Sequence, residues 1–180
     1  FLDVLTGLIP PREGTRELNG RDIGFHNIKD KAKFGYVPQK TFLLDDTIAA
    51  NVAFGIQPNQ IDTNRVNEIL EQVSLMPLVN NLEGGINAIV GEDGGFLSGG
   101  QNQRLNIARM LYADAEIIIL DEATSALDSK VEDDLLSDLN RIRGNRPVIC
   151  ITHRPSTLKF CNKIFELHEG VLNPVQSAGR

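Results

Sequence analysis

The run Ile117-Ile118-Ile119-Leu120-Asp121-Glu122 constrains this chain more than any other stretch. Four consecutive apolar residues bounded by charge suit a short strand buried on both faces, the kind found in a parallel sheet covered by helices. The run is far short of the roughly 20 apolar residues that cross a membrane. Two adjacent carboxylates leave the strand at its carboxyl end, where ligands of open α/β sheets bind. Neighbouring strand residues point in different directions, so Asp121 and Glu122 can do different jobs. One can hold Mg²⁺ through its water shell while the other orients or deprotonates a water. A strand end followed by an acidic helix cap is the other reading of the same residues.

The order of elements around this strand predicts an α/β fold with a mostly parallel sheet flanked by helices. Leu2, Leu5 and Leu8 read as the end of a helix stopped by Pro10 and Pro11, with a turn at Glu13-Gly14-Thr15. A short strand is expected at Thr15–Leu18 before an Asn19-Gly20 turn, and another at Phe34–Pro38. Helices are expected near Asp46–Val52 and Asp62–Val73. The Gly- and Asn-rich stretch Pro77–Gly100 reads as surface loops and turns. Leu105, Ala108, Met110 and Leu111 mark a helix beginning at Gln101, which hands over near Asp114 to the strand Glu116–Leu120. A helix at Lys130–Arg141, a strand at Pro147–Ile151, a short helix at Pro155–Phe160 and a hairpin over Ile164–Leu172 complete the order. The tail from Asn173 reads as loop or frayed terminus.

Composition removes several classes. By its 180 residues the chain is one domain. Its net charge of −6 offers no basic field for a nucleic-acid backbone, so no nucleic-acid partner is expected. Cys150 and Cys161 are too few for a disulfide scaffold or a structural zinc site. No secretory signal is visible at the amino end. The expectation is a domain of a reducing compartment whose link to a membrane, if it has one, runs through a partner.

Four further groups carry chemistry. Leu97-Ser98-Gly99-Gly100-Gln101 places two glycines and a serine ahead of a helix, a nest of N–H groups suited to phosphate, or else a plain cap and loop. Gln39 follows the strand ending at Pro38, where a neutral amide can touch metal or water, or serve as an ordinary turn residue. His153 follows the apolar strand Val148–Ile151; a neutral imidazole there can donate to a phosphoryl oxygen, and a structural histidine is the equal alternative. Asp128 can cap the helix from Lys130, a role compatible with a second one at a subunit contact. One companion is missing: a nucleotide site with this Asp-Glu strand normally needs G-x-x-x-x-G-K-[ST], and the chain has no Gly-Lys pair.

Taken together, these residues resemble the P-loop NTPase-like ATPase domain of ATP-binding cassette (ABC) transporters of the exporter type. Leu97–Gln101 matches the LSGGQ signature, Ile119–Glu122 the Walker B motif, Ser125–Asp128 the D-loop, Gln39 the Q-loop and His153 the switch histidine. Val90-Gly91-Glu92-Asp93-Gly94 resembles the exporter X-loop, with Glu92 as the matching acid. Leu44–Gly55 resembles the exporter pattern after the Q-loop, and its continuation resembles lipid-linked oligosaccharide flippases and related exporters. The resemblance covers nearly the whole chain.

The resemblance implies a partial nucleotide-binding domain over 1–180, with a helical signature subdomain at about 45–112 and core α/β elsewhere. It places Phe1 just after the phosphate loop, so the first strands and that loop would be absent. It implies ATP and Mg²⁺ as cofactors, with Asp121 and Gln39 on the metal. Glu122 would polarise the attacking water, and His153 and Gln39 would complete the catalytic set. Ser98, Gly99, Gly100, Gln101 and Asp128 would face a nucleotide held by a second such domain in a head-to-tail dimer. Coupling helices of a transmembrane domain are the other implied partner, at the cytoplasmic face of the cell membrane. Hydrolysis would power export or flipping of a lipid, glycolipid or polysaccharide-like substrate. The alternatives are a non-transport ATPase of the same superfamily, in DNA repair or translation, or a chain inactive in isolation.

Overall fold

The computed structural model describes residues 1–18, 20–23, 33–40, 42–91 and 94–175. Its centre is a three-stranded parallel sheet ordered β3 (Phe34–Val37), β4 (Ile117–Asp121), β5 (Val148–Ile151). Register pairs Tyr36 with Ile119 and Leu120 with Cys150, so β4 is hydrogen-bonded on both edges. Ile118 and Ile119 are fully buried although they point to opposite faces, which is what a continuous apolar run requires of a central strand. Cover thins towards the flanking strands: Tyr36 is half-exposed and every residue of β5 is partly exposed.

One face of the sheet, carrying Val37, Ile118 and Leu120, joins the main apolar core. Helix α5 (Gly99–Tyr112) lies against it at very short range. A Cβ on Gly35 would meet the Cβ atoms of Met110 and Ala115 at 2.7 Å, so only glycine lets β3 approach this closely. Helices α2 (Ile48–Val52), α3 (Thr63–Gln72) and α4 (Met76–Asn81) extend the same core. In α3 the buried residues Val66, Ile69 and Leu70, continued by Val73 at its C-cap, follow helical spacing, and the Asp62 side chain caps the start by accepting from Arg65 N at 3.1 Å.

Helix α6 (Ser129–Ile142) buries Leu135, Leu136 and Leu139 beside α5. The first helix, α1 (Leu2–Thr6), ends at Gly7 with φ 82°, and Leu8 N returns to Asp3 O at 2.8 Å in a Schellman-type stop. Strands β1 (Glu17–Leu18) and β2 (Arg21–Asp22) form the small amino-terminal hairpin. Asn19 of its expected turn lies outside the described residues. The short helix α7 (Pro155–Leu158) follows β5.

Two expectations need correction. The stretch from Pro77 to Gly100 is not all loop: α4 and a 3₁₀ turn at Gly85–Asn87 lie within it. Pro77 occupies the first turn of α4, where a missing N–H costs nothing, and Val79 is buried in the core. The tail is also more ordered than expected. Strand β7 (Val171–Val175) pairs along its whole length with β6 (Ile164–His168). Their turn has positive φ at both Glu169 (49°) and Gly170 (82°), the type I′ geometry that suits strand twist. This hairpin pairs with no other strand among the described residues and leaves Phe165, Leu167, Val171 and Leu172 exposed.

A polar bracket joins the helices. Arg104 of α5 pairs with Asp138 of α6 and donates to Val73 O at 2.8 Å, while Ser74 and Arg141 also donate to Asp138. Burial pushes the Asp138 carboxyl up, but Arg104, Arg141 and Ser74 more than offset this and hold it below its ordinary value. A folded pKa below the unfolded one contributes stability that is complete above the ordinary Asp range and lost as pH falls through the folded value. Asp138→Asn should therefore cost about 1–2 kcal/mol in urea unfolding at neutral pH. The gap from wild type should shrink as pH falls below the ordinary Asp range, where the wild-type carboxylate begins to lose that contribution.

The second test concerns α5 and α6. A Cβ on Gly100 would meet Val131 Cγ1 at 2.6 Å, and a β-branched side chain cannot swing away freely. Gly100→Ala should destabilise by about 1–3 kcal/mol, and adding Val131→Ala should recover most of it in the same unfolding measurement.

Candidate functional site

The carboxyl ends of β3, β4 and β5 lie side by side, and the candidate residues leave the sheet there. Asp121 is the last residue of β4. The Tyr36 hydroxyl of β3 donates to Asp121 Oδ2 at 2.5 Å. That bond, then burial, then the Asp121 charge raise the Tyr36 hydroxyl to about 12, so it stays a donor.

Glu122 breaks the strand direction. Its φ is +48°, a left-handed conformation that costs a non-glycine residue free energy and concentrates at functional sites. Its N–H still bonds Ile151 O at 2.9 Å, holding the turn to the end of β5. The side chain thereby reaches His153, whose Nε2 lies 3.3 Å from Glu122 Oε1. The His153 side chain is 90% exposed and that of Glu122 is 29% exposed, so the imidazole is open to a ligand while the carboxylate is partly sheltered.

Gln39 also arrives. Its Nε2 donates to Ser125 Oγ at 3.2 Å, linking the exit of β3 to the turn after β4. Gln103 of α5, itself buried, reaches the carbonyls of Pro38 and Gln39 at 3.5 and 3.4 Å and fixes that exit on the helix. Asp128 caps α6, accepting from Lys130 N at 3.1 Å and Val131 N at 3.0 Å.

The Ser98–Gln101 group forms a complete capping box at the start of α5. Gln101 N donates to Ser98 Oγ at 3.3 Å, and Ser98 N donates to Gln101 Oε1 at 2.8 Å. The cap reading is therefore realised in the structure. Ser98 and Gly99 are exposed at this helix end, whereas Gly100 is turned inward against Val131. Glu92 and Asp93 lie outside the described residues.

Asp121 fits the donor set of Mg²⁺, an ion that takes one or two protein carboxylates and fills its remaining positions with water and phosphate oxygens. Among the described residues, no three His, Cys, Asp or Glu side chains gather as a self-sufficient metal cage. An ion here would depend on oxygen ligands from a nucleotide and water.

Tyr36, Gln103, Arg154 and Glu132 escaped the sequence reading. Tyr36 had a usable signal, since strand alternation puts it on the face opposite buried Val37. Glu132 had one too: it falls on the apolar stripe of α6 with Leu135, Leu136 and Leu139, where a carboxylate needs partners.

The chain is similar in sequence and fold to known proteins. The sequence profile of the ABC transporter family matches residues 1–125. An ATP-dependent lipid A-core flippase of Ralstonia nicotianae is 40% identical over 172 residues, covering 94% of this chain and 29% of the flippase. The corresponding flippase of Vibrio parahaemolyticus is 36% identical over 173 residues, covering 96% of this chain and 28% of its own length. A bacterial Atm1-family ABC exporter solved with ATP bound superposes with a TM-score of 0.81 at 34% identity, over 96% of this chain and 30% of the exporter. The chain thus spans under a third of the relatives it matches. The profile match over most of the chain and the shared fold show that the chain belongs to the ABC transporter family.

Proposed function

We propose that this chain is the ATP-hydrolysing part of an ABC exporter that moves a lipid-like substrate across a membrane. The observation that carries the reading is the Glu122–His153 pair beside Asp121, assembled from the exits of two paired parallel strands. The flippase relatives support the transport class and the lipid-like substrate. No described helix is long and apolar enough to cross a membrane, so crossing is assigned to a partner domain.

The residues divide the work. Asp121, oriented by the Tyr36 hydroxyl, would hold Mg²⁺ with Gln39. Bound Mg²⁺ supplies positive charge against the phosphate oxygens. Glu122 accepts a hydrogen bond from the attacking water and orients it, and its partial shelter favours that over solvation in bulk. His153 is open enough to leave Glu122 and donate to a phosphoryl oxygen as charge develops. Gln39 joins the β3 exit to Ser125, so a change at either is felt at the other.

A head-to-tail second copy would face its nucleotide towards exposed Ser98 and Gly99, with the N–H groups of Gly100 and Gln101 behind them. Asp128 lies in the loop that would meet that copy. The helices from α2 to α5 form the signature-bearing subdomain of about 45–112. Coupling helices of a transmembrane domain would dock on Phe42 and Phe54. Both rings are at least half-exposed, and Arg109 bonds Phe42 O at 3.0 Å and sits 4.6 Å over the Phe54 ring. In this reading the chain works at the cytoplasmic face of the membrane.

In the full-length gene product, Glu122→Gln should keep MgATP binding within about threefold while turnover falls at least about 100-fold. Turnover within tenfold of wild type would remove Glu122 from the base role. The 180-residue polypeptide alone contains no Gly-Lys pair to wrap phosphates. Titration calorimetry on it should show no binding tighter than about millimolar, and micromolar affinity would overturn that expectation.

A further inference from the structure

Glu132 is a carboxylate with no accessible surface, in the first turns of α6. A buried charge of this kind persists only when its lone pairs are satisfied, because desolvation would otherwise outweigh its attractions. Its partners come from two separate chain segments. Thr124 Oγ1, just after β4, donates to Oε1 at 2.9 Å. Thr157 Oγ1 donates to the same oxygen at 2.7 Å, and Ser156 Oγ donates to Oε2 at 2.8 Å. Arg154 Nη2 lies 3.3 Å from Oε2.

The Arg154 guanidinium also turns the other way. Its Nη1 donates to Thr124 O at 2.5 Å and to Leu127 O at 2.8 Å, gripping the turn between Glu122 and Asp128. Thr152 Oγ1 accepts from Arg154 N at 2.9 Å and donates to Thr157 Oγ1 at 3.2 Å, closing the loop on itself. Burial would push the Glu132 carboxyl up, yet the hydroxyls of Thr157, Ser156 and Thr124 and the Arg154 charge hold it below its ordinary value.

We propose that Glu132 and Arg154 are positioning residues that lock the turn after β4 to the loop after β5, and so set Glu122 and His153 at their working separation. The proposal rests on the hydrolytic reading given above. Glu122 lies two residues before Thr124, and His153 is the immediate neighbour of Arg154. Neither clamp residue needs to touch nucleotide. Loosening the clamp lets the two catalytic side chains drift independently, and misplacement of about 1 Å can cost about 100-fold in rate.

The test uses the full-length gene product with Glu132→Gln, Arg154→Met and the double variant. Glutamine keeps one acceptor oxygen but presents an amide to Arg154. Two readouts are taken: steady-state ATP hydrolysis, and hydrogen exchange of amides 122–128 and 152–157. Each single variant should lower kcat about 10- to 100-fold with KM for MgATP within about threefold. Exchange should rise in both segments together and stay unchanged in β4. The double variant should be no worse than the weaker single, as expected of one coupled unit.

A kcat within twofold of wild type despite loosened segments would overturn the proposal, as would loosening of one segment alone. If Glu132→Gln does not fold, Arg154→Lys carries the test, since it keeps the charge but cannot span both carbonyls and Glu132. It should shift both readouts in the same direction by a smaller amount, and wild-type behaviour in both would overturn the clamp. If the wild-type product hydrolyses no ATP, the hydrolytic reading fails. The exchange data then still decide the clamp: joint loosening supports it and independent loosening overturns it.

Discussion

Everything at the candidate site hangs on the burial of β4. Ile118 and Ile119 are enclosed on opposite faces, and strands on both edges use up the backbone hydrogen bonds. A strand held this way has almost no freedom to slip, because a shift of one residue would exchange its two buried faces and drive Asp121 inward. The carboxylates are therefore delivered to one place by apolar packing that takes no part in chemistry. Tyr36 and Ile151 then fix what leaves the strand, one through a hydroxyl and the other through a carbonyl.

Much of this was legible from residue pattern. The run ending in Asp-Glu located the central strand, the order of elements gave a parallel sheet, and the resemblance of five short motifs gave the family. Helix α3 was plain because Val66, Ile69, Leu70 and Val73 keep one period. Helix α4 was hidden because Pro77 reads as a breaker unless its place in the first turn is known. The far end of β7 was hidden for a related reason, since Asn173 and Pro174 look like loop residues yet pair with Glu166 and Phe165 in a two-stranded hairpin.

The candidate site was legible by residue and not by relation. Asp121, Glu122, Gln39 and His153 could each be named, but nothing in their spacing showed that Glu122 meets His153 or that Gln39 meets Ser125. Those contacts join segments far apart in sequence and depend on strand register. Glu132 shows the same gap. In the string Glu132-Asp133-Asp134 it looks like one acid among several on a solvated helix. Its place on the stripe of Leu135, Leu136 and Leu139 separates it from its neighbours, but the groups that satisfy it appear only in the structure.

The β6–β7 hairpin has a practical side. Its apolar side chains on both strands face solvent, and β5 carries only one hydrogen-bonded neighbour among the described residues. Open strand edges beside bare apolar surface act as templates for like chains. A preparation of these residues by themselves should therefore be handled as a sticky polypeptide. Concentration, salt and storage temperature would govern how long it stays in solution, well before the stability of its core came into question.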